Sequence, residues 1–240
     1  MTALADTIVD RLGALDWNGV DASLDARGFA PLPVVLDRFE CQALSDLYSQ
    51  DALFRSRIDM SRFRFGVGEY KYFARPLPRL VSSLRTALYV HLAPIANRWM
   101  EVLAERQRFP AELDAYLACC AAQGQVRPTP LLLRYTAGGY NCLHQDLYGA
   151  LAFPLQVTCA LSRRGTDYTG GENLLVEQRP RMQSRGEVIA LQQGEALIFP
   201  TRYRPVSGAR GHYRALVRHG VSRLHGGERM SLGVIFHDAE

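Results

Sequence analysis

Residues 219–236 read HGVSRLHGGERMSLGVIF. In an extended chain successive side chains alternate between faces. His219 and Val221 therefore share one face, and Arg229 and Ser231 share one face of a later stretch. Gly226-Gly227 between them reads as a turn. The expectation is a β-hairpin that offers an imidazole and, deeper on the same side, a guanidinium. Upstream, Leu143-His144-Gln145-Asp146 obeys the same alternation: His144 and Asp146 point one way and Gln145 the other.

A neutral imidazole and a carboxylate on one face supply two ligands for a divalent metal. Two histidines and one carboxylate make the facial triad of non-haem Fe(II) oxygenases, which leaves three coordination positions open. The third ligand must come from His91, His212, His219, His225 or His237. The arginine ten residues downstream selects His219. A dicarboxylate that chelates the metal through a keto-acid end needs a cation for its far carboxylate, and arginine holds one with two parallel hydrogen bonds. Arg229 is that candidate. His225 beside the glycine turn is read as a loop residue, and His212 and His237 as exposed.

The pattern His219-x-Val221, Leu224, Gly227-x-Arg229-x-Ser231 resembles the C-terminal signature of 2-oxoglutarate/Fe(II)-dependent dioxygenases. That resemblance implies an α+β fold with a double-stranded β-helix (jelly-roll, cupin-like) core and Fe(II) held by His144, Asp146 and His219. It also implies 2-oxoglutarate held by Arg229 with help from Ser231, O2 as the other cosubstrate, and ascorbate as a reductant in vitro. Gly170-Gly171-Glu172 looks like the Gly-Gly-Glu often found between the two halves of the triad. The stretch RYTAGGYNCLHQDLYG, residues 134–149, is similar to AlkB-type alkylated-base demethylases, in which a tyrosine at the place of Tyr135 helps to hold 2-oxoglutarate. An asparagine that assists there is replaced by Leu133, and the AlkB arrangement of C-terminal arginines is not reproduced. Together, residues 129–239 look like a bacterial 2-oxoglutarate/Fe(II) oxygenase family grouped with nucleic-acid-modifying oxygenases.

Outward from these motifs the texture divides in two. Residues 1–125 read as a mainly helical region packed on the core, and residues 126–240 as the dioxygenase domain. Helical apolar spacing marks 2–15 (Leu4, Ile8, Leu12, Leu15), 39–53 and 77–105, the last with Pro94 inside. A short helix is expected from Pro110 to Cys120. Arg62–Phe73, RFRFGVGEYKYF, reads as a β-hairpin. After residue 129, strands are expected at 130–136, 142–147, 155–161, 173–177, 188–191, 196–199, 215–221 and 230–236, the spacing of a sandwich or barrel.

The bulk numbers narrow the class. An apolar fraction of 48% with scattered charge fits a globular chain. No apolar run is long enough to span a membrane as a helix, and the acidic, amphipathic start lacks the form of a secretory signal, so a cytoplasmic location is expected. Cys41, Cys119, Cys120, Cys142 and Cys159 form no C-x-x-C pair and read as reduced thiols. The net charge of +4 comes from 28 basic and 24 acidic residues, Lys71 being the single lysine. Arginines gather at Arg55, Arg57, Arg62 and Arg64 among phenylalanines, at Arg179, Arg181 and Arg185, and at Arg202, Arg204, Arg210 and Arg214. These clusters suit either phosphate tracking with base stacking or an ordinary solvated surface. Cys142 and Tyr148, on the ligand face, either line a pocket or pack. Tyr135 is either a cosubstrate contact or a core residue. The primary substrate stays open among methylated single-stranded nucleic acid, a protein side chain of the prolyl type and a small metabolite. A ligand-binding cupin barrel without activity is the non-enzymatic alternative.

Overall fold

The computed structural model describes residues 2–209 and 211–240, with side chains from residue 8 onward. The side chain of Leu4 in the expected first stripe, and Arg210 in the third arginine cluster, lie outside the described residues.

In chain order the elements are α1 (Thr2–Gly13), α2 (Trp17–Arg27), β1 (Ala30–Leu32), α3 (Arg38–Asp46), β2 (Phe54–Asp59), β3 (Gly66–Val67), β4 (Glu69–Phe73), α4 (Arg79–Val102) and α5 (Leu113–Ala122). The strand-rich half comes next: β5 (Leu131–Thr136), β6 (Tyr140–His144), β7 (Leu155–Ala160), β8 (Tyr168–Gly170), β9 (Asn173–Gln178), β10 (Arg185–Ile189), β11 (Ala196–Pro200), β12 (Tyr203–Gly208), β13 (Gly211–Val221) and β14 (Leu224–Val234). Local chemistry sets several boundaries. Asp37 and Glu40 form a reciprocal capping box that starts α3. Asp16 caps α2, which ends at Gly28 in the left-handed conformation.

The strands make two antiparallel sheets. The larger runs β1-β11-β7-β14-β5-β4-β2, with β8 on β14; the smaller runs β10-β9-β13-β6-β3, with β12 on β13. This is the expected double-stranded β-helix, with helices against one face. Alternation along β14 shows why. Met230, Leu232 and Val234 join a core with Leu84, Leu88, Leu92 and Trp99 of α4, while Arg229, Ser231 and Gly233 face the interval between the sheets. A buried ion pair fastens this contact: Arg85 of α4 donates to the carbonyls of Ile235 and Phe236 and to Asp238, each at 2.9 Å.

Several expectations are corrected. The hairpin read at 62–73 is wider: β2 pairs with β4, and 60–68 forms an excursion whose β3 pairs with β6. Pro110 precedes α5 rather than opening it. Gly226-Gly227 is not the turn. Ser222 and Arg223 connect β13 to β14, and the two strands enter different sheets rather than forming a hairpin. The glycines lie inside β14 at an irregular pairing with β8; a Cβ on Gly227 would stand 2.0 Å from the Asp167 carbonyl oxygen. The strands β1 and β8, three residues each, are too short for a period to show, and β12 buries Arg204, Pro205 and Val206 in a row, so it does not alternate. His225 and His212 are exposed but lie in strands, not loops. His237 is fully buried, not exposed: the α4 clamp draws the segment after β14 inward, and the His237 Nδ1 accepts from the Phe153 amide at 3.2 Å. Arg204 is no loop residue either. It is buried on β12 against Glu177 and the Asp25 carbonyl.

Candidate metal centre

His219 on β13 lies directly across from His144 on β6, so the cross-strand spacing brings their rings to 4.2 Å between centroids. β6 ends at His144, and Asp146 sits just beyond it rather than within the expected strand. Gln145 turns away and donates to the Val217 carbonyl of β13 at 3.0 Å, which returns Asp146 to the histidine side. The His219 Nε2 is 3.0 Å from Asp146 Oδ2, and the His144 Nε2 is 3.6 Å from Asp146 Oδ1. One ligand atom from each residue falls within 4.8 Å of the others.

The protonation states suit a divalent cation. The His144 Nδ1 faces the Cys142 carbonyl at 2.8 Å, so Nδ1 carries the proton and Nε2 presents its lone pair. Burial, reinforced by His219 alongside, holds the His144 imidazolium below its ordinary range, leaving a neutral ring. Burial alone would raise the Asp146 carboxyl, but the imidazoles of His219 and His144 and the Tyr148 hydroxyl outweigh it and hold it well below the usual range. Tyr148 donates to Asp146 Oδ1 at 2.5 Å and accepts from Tyr72 at 2.9 Å. Of the two readings left open for Tyr148, it therefore lines the pocket.

The three residues open onto a cavity of about 360 Å³ between the sheets. Arg229 reaches it from β14, 3% exposed, bonded to Ser231 Oγ at 3.2 Å and to Asn173 Oδ1 at 3.0 Å. It has no carboxylate partner among the described residues. An isolated buried cation is costly to hold, so the geometry fits an anionic ligand there. Tyr135, paired with Arg229 across β5 and β14, is fully buried with its hydroxyl unpartnered, and the His219 Nδ1 is unpartnered too. Gly171, at φ 66°, makes room for the guanidinium stem: a Cβ there would lie 3.1 Å from Arg229 Cδ and 2.6 Å from Leu224 Cδ1.

Asn173 is a site residue that sequence reasoning misses. Its signal is its place directly after Gly170-Gly171-Glu172, where β9 alternation aims it inward with Leu175. The structure brings Arg64 to the same cavity but leaves Arg57 on an exposed pair with Glu69 and turns Arg55 to the Pro128 carbonyl.

Residues 68–239 match the sequence model of an oxygenase family described as catalysing oxidative methylation of damaged DNA. An uncharacterized protein of Mycobacterium tuberculosis, found in two strains, is 53% identical over 167 residues, covering 70% of this chain and 72% of the relative. Among solved structures, a Pseudomonas putida prolyl-4-hydroxylase aligns with TM-score 0.56 at 14% identity, over 93% of this chain and 99% of the other. A 2OG-Fe(II) oxygenase family oxidoreductase from Burkholderia pseudomallei aligns with TM-score 0.56 at 16% identity, over 94% and 92%.

Proposed function

The chain belongs to the oxygenase family described as catalysing oxidative methylation of damaged DNA, and from that premise we propose that it is a 2-oxoglutarate/Fe(II)-dependent dioxygenase that removes methyl groups from bases of single-stranded nucleic acid. In this reading His144, Asp146 and His219 hold Fe(II), and Arg229 with Ser231 and Tyr135 holds the far carboxylate of 2-oxoglutarate. When bound, iron with 2-oxoglutarate and O2 supplies the oxidant that hydroxylates a C–H bond, with succinate and CO2 released. A hydroxylated N-methyl group then leaves as formaldehyde.

The observation that carries the reading is the cavity, which has a two-histidine, one-carboxylate trio on one wall and, among the described residues, a buried cation without a carboxylate partner on the other. At about 360 Å³ it exceeds what a five-carbon diacid fills and leaves space for a flat substrate group. The protein's own residues do the positioning. The Cys142 carbonyl sets the His144 tautomer, Tyr148 and His219 divide the two oxygens of Asp146 between them, and Asn173 and Ser231 aim Arg229. Leu131, Leu133 and Phe199 wall the space with apolar surface and limit water. Ascorbate as reductant and the cytoplasm as location complete the proposal. No described helix is long and apolar enough to cross a membrane.

The test is succinate and formaldehyde release over methylated oligonucleotides, peptides and metabolites. A methylated single-stranded oligonucleotide should stimulate both products. Arg229→Ala should raise the KM for 2-oxoglutarate about ten- to a hundredfold, the worth of one charge-assisted pair, with iron affinity little changed. Stimulation by a peptide or amino acid alone would transfer the activity to the prolyl type, which the fold equally accommodates.

A further inference from the structure

The excursion between β2 and β4 sends its apolar side chains in opposite directions. Met60 is fully buried among Tyr135, Tyr168, Val221 and Leu224. Phe63, Phe65 and Val67 remain 54%, 47% and 43% exposed. Large apolar groups gathered on one short loop mark an interaction surface. The two phenyl rings are also ordered against each other, stacked at 5.5 Å and 20°.

Their position ties them to the site. The Phe65 carbonyl accepts from the Cys142 amide at 2.8 Å, and Gly66 and Val67 pair with Asn141 and Tyr140. The loop is thus laced to β6, the strand that ends in His144. Arg64 and Phe65 line the same cavity as the metal-ligand candidates. Arg64 holds a left-handed backbone at φ 59°, which costs a residue with a Cβ about 1 kcal/mol or more. A glycine would sit there more cheaply; the arginine adds an exposed cationic residue to the cavity lining.

Charge narrows the occupant. Residues 60–68, MSRFRFGVG, hold two arginines and no acid. Arg62 is 80% exposed and reaches only Asp59, at 3.6 Å. Beside the loop, the Arg223 guanidinium lies over the Tyr140 ring at 5.1 Å. A proline-containing peptide could use the rings but would leave Arg64 without an anion and Arg62 with only its exposed pair to Asp59. A nucleic-acid strand uses both, since every base has a π face and every linkage a phosphate.

We propose that Phe63 and Phe65 form a stacking platform for the base next to the one in the cavity, with Arg62 and Arg64 holding the flanking phosphates. This rests on the nucleic-acid reading above and adds which residues grip the strand outside the reactive pocket.

The experiment is fluorescence anisotropy of the full chain with a labelled methylated single-stranded oligonucleotide, titrated at several salt concentrations. Phe63→Ala should weaken binding about tenfold or more, the value of one lost stacked base, and Phe63→Trp should restore it. Arg64→Ala should lower the slope of log affinity against log salt by about one. An unchanged melting temperature checks that these exposed variants fold. Tight wild-type binding that neither substitution alters would overturn the platform and leave the demethylase reading standing. Failure of the wild type to bind any oligonucleotide would overturn both. Salt-insensitive capture of a proline-rich peptide, lost in Phe63→Ala, would reassign the platform to peptide.

Discussion

Asp146 has two oxygens and two tasks. Oδ1 takes the Tyr148 hydroxyl, and Oδ2 faces His219. A carboxylate with one oxygen already engaged offers a metal the other, so in the proposed metal site Tyr148 would act as a positioning residue that favours single-oxygen ligation. Tyr148→Phe should weaken Fe(II) or Co(II) binding about tenfold, the low end for loss of a ligand's hydrogen-bond partner. Calorimetric titration measures it, and unchanged metal affinity would show that the hydroxyl only packs. At this scale the sequence is informative where chemistry is local. His144, Asp146 and His219 stand out because alternation and a recognisable neighbourhood select them. His237 escapes such a reading because its burial depends on Arg85, on a helix far upstream, and the neighbouring Asp238 reads as a surface acid until Arg85 is placed against it. Asn173 escapes it because an amide at a strand start usually signals only a turn.

Among the elements, the junction of β13 with β14 is the hardest to foresee. Two adjacent strands separated by a short link ordinarily pair as a hairpin, and only the rest of the sheet decides that these two part company. What holds the link is Glu172, just before β9. Its backbone N–H donates to Ser222 Oγ at 2.9 Å, Ser222 Oγ donates to its carboxylate at 2.6 Å, and Arg164 adds a bond at 3.0 Å. The Ser222 bond first, then Arg164, lower the Glu172 carboxyl to about 2. A carboxyl depressed in the folded state contributes stability that is complete above its ordinary pKa near 4.5 and lost as pH falls toward 2. Glu172→Gln should therefore cost about 1 kcal/mol at pH 7, after allowance for solvent screening. The gap to wild type should close in urea unfolding repeated between about pH 4.5 and 2. A gap independent of pH would mean that the carboxylate charge is not what fastens the link. Helices and most longer strands are legible because their periods run over several residues; β1 and β8 are not, since each is three residues long and defined by its partner, and β12 is not, since its buried residues are consecutive rather than alternating.

Across the whole molecule, the helical layer and the barrel are joined by apolar packing and by Arg85 with Asp238. Both side chains are 1% exposed, and Arg75 reaches the same carboxylate from the surface. Arg85→Leu should cost about 3 kcal/mol, the low end for breaking a buried pair, because Asp238 loses its buried partner and keeps only the half-exposed Arg75. Double replacement with Asp238→Asn should recover part of that loss. Equilibrium denaturation of the set decides it, and strict additivity would show that the two residues do not act as a pair.

The cavity also lies between two separately paired sheets. Spacings among His144, Asp146 and His219 are set within the smaller sheet and the turn that leaves it, whereas the span from that trio to Arg229 is set by how far apart the sheets stand. The molecule is in effect a caliper. In the proposed function the grip on a metal would depend on one jaw, and the length of diacid accepted on the opening. Residues that prop the opening, such as Met60 and Val221 in the cluster beneath Tyr135, could thus retune the preferred chain length of a cosubstrate without altering any group that touches iron.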